Sequence, residues 1–376
     1  MPAVPFGMAF AQVFPAIERD DSVRIEQTHI VQDLQPGGIE SLALALTSRA
    51  GETCQLISLN GTALELISGW DALKPVASQL KAFAKAPGLS PSLVFALARH
   101  FRQTNTQSVI THHIGPLLYA GIAARLAGVP VVAHVEHDAW HYRDARRRRL
   151  GRMLMRLVRP QLAAVSRAVA DGVFEGIGHE ARIISNGADL ARFKPSARDQ
   201  ARRDLGLPIQ QKLIGCAGRL EEVKGFDLLI EAMAKLPEDV SAVIFGIGTQ
   251  EHALRRQADQ IGLGHRLTFA GLSCDMPSVY PAFDVFCLPS RFEGLPLAAL
   301  EAQACGVPVV GFDVGGMREA LCPKTSRLAP AGDVDALASA LVQALRSPPR
   351  QSPRDFVADN FSFEQTLRAY ADLRKN

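Results

Sequence analysis

Short β-branched runs bounded by glycine, proline or asparagine return along this chain, with amphipathic segments of helical length between them. That rhythm predicts parallel sheets, because a parallel pair needs a crossover long enough to hold a helix. The runs fall into two sets. RIEQTHIV, CQLISL, SVITHH, VPVVAHVEH, LAAVS and ARIISNG make the first; KLIGCAG, SAVIFGIG, RLTFAG, DVFCLPS and VPVVGFD make the second. Each set suffices for one open, doubly wound sheet whose ligands sit beyond the carboxyl ends of the strands. A chain of 376 residues, 47% of them apolar, is too long for one ordinary α/β core, so two α/β domains with a cleft between them are expected.

The turn Asn186-Gly187 and the pair Pro195-Ser196 place the linker near residue 190. The expected plan is a flexible leader at 1–22, an N-terminal domain at 23–190, a C-terminal domain at 191–352, and a last helix at 353–376 that returns to the first domain. The leader MPAVPFGMAFAQVFPAIERDD has three prolines and no basic start, which suits neither a signal peptide nor a membrane span. A net charge of +3 gives no general affinity for nucleic acid. The six cysteines show no metal-ligand spacing and several lie in apolar strands, so a reducing, cytoplasmic setting is expected.

The stretch SRFEGLPLAALEAQACGVPVV sets Glu293 and Glu301 in a run that otherwise reads as core. Pro296 suits the first turn of a helix that continues to Gly306, so Glu293 precedes the helix and Glu301 lies within it. Their carboxylates would be roughly 10 Å apart, at 1.5 Å per helical residue plus a bend. That separation suits opposite ends of one ligand, with the backbone N–H groups of Gly294 and Leu295 seating a phosphate between them. A nucleotide-diphosphate sugar has that form: Glu301 would take the ribose hydroxyls and Glu293 the sugar. Spacing alone also allows a helix-start acid and a solvated helix residue.

The run EGLPLAALEAQACGVPVV closely resembles the Glu, seven residues, Glu signature of the retaining GT-B glycosyltransferases of family 4. PGGIESLALAL (36–46), AVSRAVAD (164–171), SNGADLARF (185–193), GRLEEVKGFDLLIEA (218–232) and VGGMREAL (314–321) extend the resemblance in one order. It implies two Rossmann-like domains in the GT-B fold and a hexosyltransferase that moves a sugar with retention, without a metal or other cofactor. The implied donor is a nucleotide-diphosphate sugar, a UDP-sugar foremost, and the implied acceptor a cell-surface glycan or lipid-linked precursor. It also implies that Arg219 and Lys224 grip the donor diphosphate, that the Gly37-Gly38 loop faces the phosphates, and that His137 reaches the donor sugar, with His134 the second choice. Gly246 reads as a strand-to-helix turn that lets the nucleotide approach. A nucleotide-sugar epimerase and a non-catalytic nucleotide-sugar-binding protein are the alternatives.

Asp333 and Asp335 read as a helix cap and a first-turn acid rather than a metal pair. His134 and His137 alternate to opposite faces of their strand, which disfavours a shared metal, and His112 and His113 are acceptor-side candidates. WHYRDARRRRLGRMLMRLVRP holds eight arginines between 143 and 159. Leu150, Met153, Leu154 and Leu157 follow helical spacing beside Arg146, Arg147, Arg148, Arg149 and Arg152. With Trp140 and Tyr142 nearby, the segment reads as a peripheral contact with an anionic inner leaflet, as a site for an anionic acceptor, or as a core-facing helix with a solvated basic side.

Overall fold

The computed structural model describes residues 24–273, 275–347 and 351–374; the expected leader and Cys274 lie outside them. The chain divides into two compact units, one formed by residues up to Ala164, Ala170–Ile183 and the end from Tyr370, the other by Val165–Val169 and Ile184–Ala369.

The first unit holds seven parallel strands: β1 (Gln27–Val31), β2 (Cys54–Ser58), β3 (Leu80–Ala82), β4 (Ser108–His112), β5 (Val131–Glu136), β6 (Gln161–Ala164) and β7 (Arg182–Ile183). Their order is β3-β2-β1-β4-β5-β6-β7. The second unit holds β8 (Lys212–Ala217), β9 (Val240–Phe245), β10 (Leu267–Gly271), β11 (Val285–Leu288), β12 (Val309–Phe312) and β13 (Arg327–Ala329), ordered β10-β9-β8-β11-β12-β13. Both orders run outward from a first strand and then reverse, the Rossmann pattern, so each sheet has a switch point where ligands collect: β1/β4 in one, β8/β11 in the other.

Every strand expected from sequence is present, and two more appear, β3 and β13. Both are three-residue edge strands, too short to show an alternating pattern. The last segment is not one helix: Arg354–Asn360 and Phe363–Asp372 are separated at Phe361-Ser362. Arg354 binds the carbonyls of Leu190, Phe193 and Ala304 within the second unit, whereas Arg374 pairs with Glu26 at 3.1 Å in the first. Asp333 caps Val334–Arg346 by accepting from Ala336 N–H, and Asp335 pairs with Lys235.

Candidate functional site

In the second unit, β8 ends at Ala217 and the chain turns through Gly218-Arg219 into a short 3₁₀ turn, Glu222–Lys224. β11 ends at Leu288 and continues through Ser290–Pro296 into the helix Leu297–Ala304. Pro296 is the residue before the helix rather than inside its first turn. These two loops leave neighbouring strands at the switch point and meet. Lys224 Nζ donates to Glu293 Oε1 at 2.7 Å, and Ser290 Oγ donates to the same oxygen at 2.6 Å. The Glu293 side chain is only 7% exposed, so its charge is held by these two partners rather than by water. Arg219 is exposed and makes no side-chain hydrogen bond among the described residues.

The backbone between the two acids is pinned from three sides. Ser166 Oγ donates to the Gly294 carbonyl at 3.0 Å, Asn186 Nδ2 to the Leu295 carbonyl at 2.8 Å, and Gly316 N–H to the Glu293 carbonyl at 3.2 Å. With the carbonyls so held, the Gly294 and Leu295 N–H groups donate to no group among the described residues. Gly315 and Gly316 press on this loop: a Cβ at either would stand 1.8 Å from the Glu293 or Gly294 carbonyl oxygen, and Gly315 has φ +51°. Only glycine fits both positions.

Glu301 lies within the helix and receives the Tyr280 hydroxyl at 2.7 Å. Burial of its carboxyl pushes the pKa up to about 7, against the opposing pull of the Tyr280 hydrogen bond and the Arg192 charge. Glu301 is therefore poised between acid and carboxylate near neutrality. Gly246, at the end of β9, has φ +145°, and a Cβ there would lie 1.9 Å from the Gly218 carbonyl oxygen, so the turns after β8 and β9 touch through backbone.

In the first unit, Gly37 has φ −165°, an extended conformation open to any residue, and Gly38 begins the helix Gly38–Ala50. His137 follows β5 and turns toward β4, its Nε2 2.8 Å from His112 Nδ1. His134 and Glu136 share the other side, at 3.1 Å, as strand alternation requires. Glu136 is fully buried, also accepts from Tyr142, and is held at a pKa of about 2: burial raises it, but His134, His141 and Tyr142 outweigh that. His113 stands at φ +76°, ψ 161°, backbone seldom used outside glycine. Among the described residues, no group of three histidine, cysteine or acidic side chains is arranged for a metal ion.

The arginine-rich segment forms the helix Ala145–Val158, with Gly151, Leu154, Met155 and Val158 buried. The expected apolar stripe is split: Leu154 faces the core, while Met153 and Leu157 are about half exposed beside Arg149, Arg152 and Arg156 around an open groove of 640 Å³. Tyr142 is buried against Gly151 and Gly176, not an interface anchor. Arg148 binds the Tyr142 and Arg143 carbonyls, Arg152 binds the Gly176 carbonyl, and Arg147 lies over the Trp140 ring. Arg146 is exposed at the start of the helix.

Sequence reading missed Ser166, Asn186, Tyr280 and Ser290. Ser166, Asn186 and Ser290 stand in the stretches quoted above; the partners of Ser166 and Asn186 are 128 and 109 residues away, so only the folded chain assigns their contacts.

The family model described as Glycosyltransferase Family 4 matches residues 36–192, and that of Glycosyl transferases group 1 matches residues 197–359. The lipopolysaccharide core biosynthesis mannosyltransferase LpsB of Rhizobium meliloti is 34% identical over 206 residues, 50% of this chain and 59% of that protein. A GDP-mannose-dependent monoacylated alpha-(1-6)-phosphatidylinositol monomannoside mannosyltransferase of Corynebacterium glutamicum is 29% identical over 70% of this chain and 73% of its own length. The chain spans about half the length of most curated relatives it matches. The crystal structure of Anabaena HepE in complex with UDP and glucose shares the fold, with a TM-score of 0.81 at 20% identity over 93% of this chain and 99% of that one.

Proposed function

The chain belongs to the GT-B glycosyltransferases of group 1, family 4, and from that membership we propose that it moves a hexose from a nucleotide-diphosphate sugar to a cell-surface glycan or lipid-linked acceptor, with retention at the anomeric carbon. The observation that carries this reading is the second unit's switch point. Lys224 and Ser290 both bind Glu293, the N–H groups of Gly294 and Leu295 that follow it in the chain donate to no group among the described residues, and Glu301 stands in the next helix.

In this reading the N–H groups of Gly294 and Leu295 receive a donor phosphate at the positive end of the helix. Lys224, with Arg219 swung in from solvent, balances the charge that grows on the diphosphate as it leaves. These groups supply the positive charge, so the reaction is proposed to run without a metal. Glu301, as carboxylate, takes the ribose hydroxyls, and Glu293 holds the sugar. Glu293 is already the acceptor of two hydrogen bonds, which fixes its carboxylate before a sugar arrives. The bond from C1 to the phosphate oxygen breaks while the acceptor oxygen bonds to C1 on the same face. The acceptor's proton passes to the departing phosphate oxygen, so no protein nucleophile is needed. In the first unit, His137 is proposed to meet the sugar, and Gly37-Gly38 the phosphates.

A UDP-sugar is the first donor to test and GDP-mannose the second, since UDP accompanies the HepE structure and GDP-mannose is named for one relative. The groove of Arg149, Arg152, Met153, Arg156 and Leu157 combines cationic and apolar side chains, which supports a peripheral contact with anionic lipid or an anionic acceptor on the cytoplasmic side. The test is transfer from labelled UDP-hexoses and GDP-mannose to extracted lipid-linked acceptors, with the anomeric configuration of the product read by NMR. A product with the donor's configuration is expected. An inverted product, or donor turned over to an epimer without any acceptor, contradicts the reading.

A further inference from the structure

His137 is the end of a line of three imidazoles. His112 Nδ1 stands 2.8 Å from His137 Nε2, and His112 Nε2 stands 3.1 Å from His29 Nδ1. The line crosses from β5 through β4 to β1, at the switch point of the first sheet. His29 pairs in register with Ile110, so His112, two residues on, projects to the same face. The rings of His112 and His137 lie 5.1 Å apart, those of His29 and His112 5.4 Å, and the Tyr370 ring packs on His29 and His112 at 5.8 and 6.2 Å. His113 lies 5.7 Å from His137 on its strained backbone. His29 and His112 are at most 1% exposed, and His137 6%.

We propose that His112 and His29 are positioning residues, which set the tautomer and orientation of His137 through these two imidazole hydrogen bonds. The proposal rests on the reading of His137 as the residue that meets the sugar. A neutral imidazole has one donor and one acceptor nitrogen, so the direction of one hydrogen bond dictates that of the next. If His29 donates from Nδ1, then His112 must donate from Nδ1 and His137 carries its proton on Nδ1. If the line runs the other way, all three carry it on Nε2. Either way the three rings share one tautomer, His137 Nε2 is used inside the protein, and Nδ1 is left to meet a substrate hydroxyl. Burial keeps the rings neutral: it lowers His29 to about 3 and holds His112 and His137 well below the usual histidine range, aided by the neighbouring histidines.

The test is ¹⁵N NMR of the full chain labelled at histidine, at pH 7, with the ten histidines assigned by single substitution. The three rings are expected to be neutral and to share one tautomer. His112→Phe is expected to leave His137 as a mixture of tautomers and to lower kcat/KM roughly tenfold, as loss of an outer-shell partner does at metal-bound histidines, with nucleotide affinity within about twofold. The wild-type spectrum alone is decisive if that variant fails to fold. Unlike tautomers within the line, or a His137 signal indifferent to His112→Phe, overturns the proposal. A His137 signal that follows His112 in a protein that binds no nucleotide sugar upholds the coupling and removes the sugar-facing reading instead.

Discussion

At the switch point of the first sheet, β1 buries Gln27, Thr28 and His29 and β4 buries Ser108, Thr111 and His112, whereas β8 and β11 of the second sheet bury leucine, isoleucine, cysteine, valine and phenylalanine. The two sheets share a strand order and differ in where they keep their polar groups. In the first, polar side chains are built into the strands: Ser108, Thr111, His29 and His112 are hydrogen-bonded to neighbouring segments, while Gln27 Nε2 and Thr28 Oγ1 are buried with no partner among the described residues. In the second, the strands are an inert base and the chemistry stands on loops beyond their ends, held by backbone carbonyls and close-fitting glycines. On the functional reading proposed above, one topology would support two kinds of site: a dry wall that works through tautomer and orientation, and a loop cradle that works through charge and fit.

If that contrast holds, the largest effects of substitution belong to charge in the second unit. Lys224→Met removes the cation paired with Glu293 and is expected to lower kcat by about 10²- to 10³-fold, measured by sugar transfer at saturating donor. A loss below tenfold would mean that Arg219 and the backbone suffice. Next comes fit. Gly316→Ala drives a methyl into the Gly294 carbonyl, so thermal unfolding should show a loss of about 1–3 kcal/mol, with weakened nucleotide binding. An unchanged Tm would mean that the loop moves freely, and the cradle would not be preformed.

A finer test uses pH. Glu301, raised to about 7 by burial, is protonated below that value and then donates one hydrogen bond instead of accepting two from a ribose. Nucleotide affinity should therefore rise as pH rises through 7, roughly tenfold from pH 6 to 8, and Glu301→Gln should remove that part of the dependence. The stability linkage runs the other way: with a folded pKa above the unfolded value, this group's contribution is fully present below about 4.5 and is lost as pH rises through 7. The smallest effect on the fold belongs to the exposed arginines. Arg149→Glu with Arg156→Glu should change stability by no more than about 0.5 kcal/mol, yet should abolish cosedimentation with anionic vesicles, since each basic residue contributes about 1 kcal/mol near such a surface. Equal sedimentation of both proteins would remove the membrane reading.

The two sites were unequally legible in the sequence for the same reason that they differ in structure. The cradle's acids lie eight residues apart in one stretch, where helical rise and a phosphate-seating turn can be argued locally. Ser166 and Asn186, which hold that stretch from afar, could be quoted but not assigned. The wall was less legible still. His112 and His137 are 25 residues apart and His29 is 83 residues before His112, and only the order β1-β4-β5 makes them neighbours. Strand alternation did separate His134 from His137, but it gave no hint of His29. Helical periodicity misjudged Met153 and Leu157, because it locates an apolar stripe without saying which part the core covers.

The central claim is that the second unit's loops bind a nucleotide diphosphate while the first unit's histidine line serves the sugar. The most direct test is calorimetry of UDP, GDP and ADP binding to the wild type, Glu301→Ala, Arg219→Ala and His112→Phe. The account predicts selective binding of one nucleotide, weakened at least tenfold by both changes in the second unit and left within about twofold by His112→Phe. Binding indifferent to Glu301 and Arg219, or lost on changing His112, would contradict it.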